Sequence, residues 1–265
     1  MKGTIALALM IPACMLAQGV PQGPGLGGPG GPAQPPKPAE QAEPVDFTGY
    51  WVSVVTEDWR WRMVTPIHGD FASIPLNNEG RRIGNAWDPA KDQAGGLQCK
   101  AYGAPAIMRV PERLHITWAD DNTLKIETDA GEQTRLFHFT GKPPADEKRT
   151  WQGYSAANWE RPVRGTAFPG FGLGATRAGT HGRSMEVVTT SLRDGYLRKN
   201  GPPYSENTVL KEYYDLHKER NGDIWFTVTT VVEDPKYLTE PFVTSTDFKK
   251  EPDGAKWHPT PCSAR

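Results

Sequence analysis

The chain has 265 residues, with 30 Lys and Arg against 31 Asp and Glu and a formal net charge of −1. That balance, without any basic cluster, excludes the electrostatic footprint of a nucleic-acid binder. Nine Trp are a heavy aromatic load, and their rings must build a core, line a pocket, or both.

Residues 1–19 read as a secretory signal peptide. Lys2 supplies the positive charge, an apolar run covers 5–16 apart from Pro12 and Cys14, and Ala17-Gln18-Gly19 fits small-x-small cleavage. The run is too short to span a bilayer. A competing reading takes Ile11-Pro12-Ala13-Cys14 as a lipobox, which would leave a lipidated Cys14 as a membrane tether. Both readings export the protein, to the periplasm or the cell exterior. Residues 20–45 are mostly Pro, Gly, Gln and Ala without apolar periodicity, so they are expected to form a disordered linker. Residues 46–265 are then one domain, long enough for a single hydrophobic core.

In chain order, β-branched and aromatic runs bounded by turn residues predict strands over 51–63, 107–118, 124–128, 134–140, 149–159, 185–192, 209–216, 224–232 and 242–248. Asp120-Asp121-Asn122 and Ala130-Gly131 join three of them into a meander, and Asn221-Gly222-Asp223 makes another hairpin. A short helix fits 78–86. The run 165–182 reads as a long loop over one mouth of the fold. Within it, Gly170-Phe171-Gly172-Leu173-Gly174 follows no strand and opens no helix, so it is not a dinucleotide loop. Sequential strands of this number suggest an all-β domain, either an up-and-down barrel or a sandwich.

Cys99 and Cys262 are the pair left beyond the export signal, and outside the cytoplasm they are expected to form a disulfide. Closing a loop of about 160 residues would contribute about 4–5 kcal/mol in the chain-entropy model.

Asp46-Phe47-Thr48-Gly49-Tyr50-Trp51 contains a Gly-x-Trp that resembles the opening of lipocalin-type barrels, where the Trp plugs one end. The resemblance covers this start, the strand count and the short connections. It implies a single antiparallel up-and-down barrel of eight to nine strands, of divergent calycin type. The chain departs from the family in lacking its Thr-Asp-Tyr motif and a clear Arg near the end to stack over Trp51, for which Lys249 and Lys250 are poor substitutes. The second half, from Leu197-Arg198-Lys199-Asn200-Gly201 to Val231-Val232-Glu233-Asp234-Pro235, is also similar to exported bacterial proteins of unknown function.

Setting Trp51 inward by that resemblance turns Glu57, Trp59 and Trp61 inward as well, because strand side chains alternate. A meander register with Ile126 opposite both Thr117 and Leu136 gathers Arg113, His115 and His138 on one face. That face is taken as the inner one, since Glu127 and Arg135 can pair on the outside. Glu212 and Tyr214 share a face with Leu210 and Leu216 and complete the expected ligand-binding set. His115 and His138 would lie roughly 16 Å apart, too far to share a zinc ion, and neither a metal nor a cofactor is expected. The expected function is an exported lipocalin-like module holding a small, partly apolar molecule in the barrel cavity. The alternatives are an acid/base enzyme (isomerase, hydratase or lyase) using the same cavity, and an envelope structural protein without one.

Overall fold

The computed structural model describes residues 37–144, 148–160 and 184–264. The expected signal peptide and the loop 165–182 lie outside them, as does most of the expected linker. The packed chain starts ahead of residue 46. A short helix α1 (Ala39–Ala42) docks through Ala39, whose N–H donates to Asn122 Oδ1 and whose carbonyl accepts from Trp159 Nε1.

Nine strands close a barrel in the order β1-β11-β10-β9-β6-β5-β4-β3-β2. They are β1 (Gly49–Val54), β2 (Arg113–Asp120), β3 (Thr123–Thr128), β4 (Thr134–His138), β5 (Tyr154–Trp159), β6 (Ser184–Thr190), β9 (Val209–Lys218), β10 (Ile224–Glu233) and β11 (Phe242–Glu251). A two-stranded hairpin, β7 (Gly195–Tyr196) and β8 (Pro203–Tyr204), stands apart from the barrel sheet. The nine predicted strands therefore correspond to the nine of the barrel. A purely antiparallel ring is impossible with an odd strand number, since direction must alternate around it. The parity is restored at β4 and β5, which pair parallel (Phe137 with Ser155), and this corrects the expectation of a single antiparallel barrel.

Trp51 is fully buried in β1, and its Nε1 donates to the Phe47 carbonyl at 2.8 Å. Lys250 Nζ sits 5.3 Å from its ring centre. The core around it contains Phe47, Phe137, Tyr214, Phe226 and Phe248, with Leu114, Ile116, Leu124 and Ile126 from the meander. Each such side chain contributes about 1.5–3 kcal/mol by leaving water.

β1 and β2 are among the strands that come out shorter than expected. β1 stops at Val54 because Asp58 adopts φ +52 and starts a helical turn, α2 (Trp59–Arg62). Strand alternation thus ends before Glu57, Trp59 and Trp61. β2 begins only at Arg113, because Pro105 sits in the first turn of a short helix, α5 (Ala104–Ile107). The expected helix at 78–86 is α3 (Asn78–Asn85), capped by the Asn77 side chain, which accepts from Gly80 N–H at 2.8 Å. A further helix, α4 (Pro89–Ala94), starts from an Asp88 cap.

The meander register differs from the expected one by a residue in each hairpin. β2 pairs with β3 as Ile116 with Ile126 and His115 with Glu127, and a bulge between Trp118 and Asp120 absorbs the extra residue. β4 pairs with β3 as Arg135 with Ile126, across a turn in which Gly131 and Glu132 both have positive φ. A one-residue slip turns a strand over. β2 and β4 therefore bury Leu114, Ile116, Arg135 and Phe137, while Arg113, His115 and His138 face outward. This reverses the face expected for those three residues.

The starts of β2, β4, β5, β9 and β11 and the ends of β1, β3, β6 and β10 share one end of the barrel. Helices and loops cap that end with a second apolar cluster, built from Phe71, Leu76, Leu197, Tyr204, Leu238 and their neighbours. α5 leads into Ile107 and Met108, which join the barrel core. Buried Asp234 fastens the β7–β8 side of the cap by accepting from Ser205 N–H and Oγ, Thr208 Oγ1, and the N–H groups of Lys236 and Tyr237.

Candidate functional site

Aromatic side chains fill the barrel axis, and the packing turns polar toward the capped end. Arg135 and Glu212, both 0% exposed, form a bidentate pair at 2.8 and 2.6 Å. Tyr214 Oη donates to Glu212 at 3.2 Å, and Arg135 Nη2 reaches Thr189 Oγ1 at 3.3 Å. Thr189 in turn meets Ser155 Oγ at 2.8 Å. Burial opposes the Arg135 charge, but Glu212 and Tyr214 outweigh it and raise its pKa. Burial, with the Glu212 carboxylate beside it, pushes the Tyr214 hydroxyl well up, so it stays protonated. Glu212 and Tyr214 thus lie inside the barrel as expected, but their neighbour is Arg135 rather than the predicted Arg113 and histidines.

Glu112 sits nearby, just before β2, with both carboxyl oxygens buried and unpartnered. Desolvation, reinforced by Asp129 and only partly offset by Arg135 and Arg62, holds its pKa well above the ordinary 4.5. The native state therefore keeps this proton to higher pH than the unfolded chain does. Its stabilising effect is complete below about 4.5 and is lost as pH rises through the native value. Glu112→Gln should gain on the parent as pH rises from 4 to 8, by about 1 kcal/mol or more at the upper end. Urea unfolding across that range checks this, and a difference independent of pH contradicts it.

The remaining predicted residues lie outside the barrel. Arg113 pairs with Glu251 at 3.0 Å. His115 stacks on Tyr50 with ring centres 4.3 Å apart and contacts Glu127 at 3.2 Å. His138 stacks on Tyr154 at 4.7 Å. Trp59 is 67% exposed, and Glu57 binds Arg62 at 2.6 Å. Arg113, His115 and His138 thus face away from Glu212 and Tyr214, on the opposite side of the sheet.

A different cluster forms where α2, α5 and the segment before β8 converge on the capped mouth. Trp61, Arg62, Thr65, Pro66, Ala101, Ala106, Arg109, Val110, Pro111, Leu197, Arg198 and Lys199 line a cleft of about 50 Å³. Its lining holds four cations and no carboxylate. Arg62 Nε donates to the Arg109 carbonyl, and Arg109 Nη2 binds Asp58 at 2.8 Å. The Arg198 guanidinium lies over the Trp61 ring at 5.6 Å. Burial, with Arg109 next in weight, lowers the Arg198 pKa to about 10. Burial also lowers Arg62, against the pull of Glu57. A larger groove of about 530 Å³ adjoins the cleft through Thr65 and Pro66, with Ile67, His68, Trp87 and Pro89 in its walls. His68 stacks on Trp87 at 6.1 Å.

Of the predicted residues, Trp61 lines this cleft. Arg109 and Arg198 escaped the sequence reading because their partners lie far along the chain. A signal was present in Ala106-Ile107-Met108-Arg109-Val110, where one charge interrupts an apolar run that ends up buried. No family model matches the chain, and neither a curated protein nor a solved structure matches it.

Proposed function

We propose that the protein is an exported binding module for a small, partly apolar molecule, taken at the capped mouth of the barrel rather than along its axis. The observation that carries this is the adjoining pair of concavities. A small cleft rich in donors shares Thr65 and Pro66 with a groove whose volume suits a small molecule. The exposed apolar side chains support it too. Trp59, Met63, Val64 and Ile67 are four of the six large exposed hydrophobics among the described residues, and all fall within 59–67. The axis, by contrast, is occupied by Trp51, Tyr214, Phe226 and Phe248. The leader at 1–19 motivates export, and the Cys99–Cys262 bridge agrees with it.

Neutral N-phenyl-1-naphthylamine, titrated while the indole ¹H–¹⁵N signals are followed, tests the location. The Trp61 and Trp87 signals should move in a saturable way and that of Trp51 should stay. Movement of Trp51 alone would return the site to the axis, and no saturable change would refute the module.

A further inference from the structure

We propose that the cleft takes the oxyanion head group, carboxylate or phosphate, of a small organic ligand, held by Arg109, Arg198 and the Trp61 indole. This rests on the capped mouth being the binding surface. Arg62 has each nitrogen engaged: Nε on the Arg109 carbonyl at 3.0 Å, Nη1 on Glu57 at 2.6 Å, and Nη2 on Ser53 Oγ at 3.0 Å. Arg109 uses Nη2 on Asp58, and Arg198 uses Nη2 on the Ala72 carbonyl and Ser73 Oγ, both at 3.2 Å. Arg109 Nη1, Arg198 Nη1 and Trp61 Nε1 remain buried without a partner. Both arginines are only 8% exposed.

Unpaired buried donors are costly, most of all on charged groups, so three of them on residues that line one cleft, two on guanidinium groups, call for an acceptor. Charge decides its kind. Glu57 and Asp58 pair with Arg62 and Arg109, whereas Arg198 makes no ion pair within 4.0 Å among the described residues. Lys199, held by Tyr102 Oη at 2.9 Å, adds another positive charge at the rim. A neutral amide would satisfy the donors and leave that excess standing, whereas a carboxylate or phosphate answers both. Guanidinium groups suit such planar or tetrahedral oxyanions, with charge-assisted bonds about twice as strong as neutral ones. The volume of about 50 Å³ fits a head group of a few heavy atoms and not a whole ligand, whose body would continue over Thr65 and Pro66 into the groove.

The test keeps one aromatic body and changes its head. 1-Naphthoate, 1-naphthyl phosphate, 1-naphthamide and 1-naphthylmethylamine are titrated into the full chain while the Trp indole signals are recorded. At least one of the two anions should bind about tenfold tighter than the amide or better, with the amine weakest, and the tighter anion identifies the head group. Arg198→Gln should bring the tighter anion down to the affinity of the amide measured on the same variant, and Arg198→Lys should retain part of the preference. The comparison of heads on the unaltered chain is decisive even where a variant fails to fold. Equal affinity for anions and amide, with Trp61 still perturbed, overturns the oxyanion site and leaves the mouth as the binding surface. Binding by none of the four, or shifts confined to Trp51, Trp118 and Trp159, overturns both.

Discussion

Replacing Arg135 by Met should destabilise the protein by about 3–5 kcal/mol, the cost of leaving one partner of a buried ion pair alone. Glu212 would lose both guanidinium bonds inside a barrel where it is wholly shielded from water. Tyr214 would be the one donor left to it, since Thr189 and Ser155 bond to each other. Glu212→Met should cost a similar amount by stranding the guanidinium. The double replacement should recover most of the loss, because two apolar side chains of similar volume remove both desolvation penalties at once. A double-mutant cycle in urea reads the coupling directly. Additive single effects, or an Arg135→Met variant within about 1 kcal/mol of the parent, would show that the pair is not a closed internal unit.

The second large effect belongs to Cys99 and Cys262, which are bridged with Cα atoms 5.1 Å apart across a sequence separation of 163. Breaking the bridge should cost about 4–5 kcal/mol if the denatured-chain entropy dominates. The native contacts around it indicate where the loss would appear first. Thr260 N–H donates to the Asp129 carbonyl, and the Thr260 carbonyl accepts from Gly131 N–H, so the C-terminal segment lies against the β3–β4 turn. Tyr102, on the same 3₁₀ turn as Cys99 (Gln98–Tyr102), packs against that turn at Gly131, where φ is +78 and a Cβ would meet the Tyr102 ring at 2.4 Å. Cys99→Ser, Cys262→Ser and the double variant should lose about the same stability. Reduction of the parent should reproduce that loss in urea unfolding. A change below about 1 kcal/mol would mean that the tail holds its place without the bridge.

The strands were legible because period-two alternation and turn residues are local signals. The face was not, because it depends on a bulge at Ala119 and on two positive-φ residues in a turn, neither of which alters composition. The resulting error concentrated on Arg135. A charged residue on a two-faced strand reads as solvent-facing, and its compensation, Glu212, lies 77 residues away. Glu57, Trp59 and Trp61 failed differently, since Asp58 in the left-handed region ends the strand between two stretches of good strand formers. The cap was partly readable: Asp88-Pro89 is an N-cap followed by a first-turn proline, a signature of the α4 start. The cleft as a whole was not readable, because Trp61, Arg109 and Arg198 meet only after the cap has folded over the mouth, although the lone charge of Arg109 in its apolar run was a local trace of it.

The proposed site puts the ligand at the capped mouth and leaves the axis as core. A photoreactive diazirine derivative of 1-naphthoate, crosslinked to the full chain and mapped by peptide mass spectrometry, tests this most directly. Label should fall within residues 59–68, 87–91 or 197–199, be competed away by unmodified 1-naphthoate and be reduced in Arg198→Gln. Competable label on Trp51, Tyr214 or Phe226 would contradict that placement.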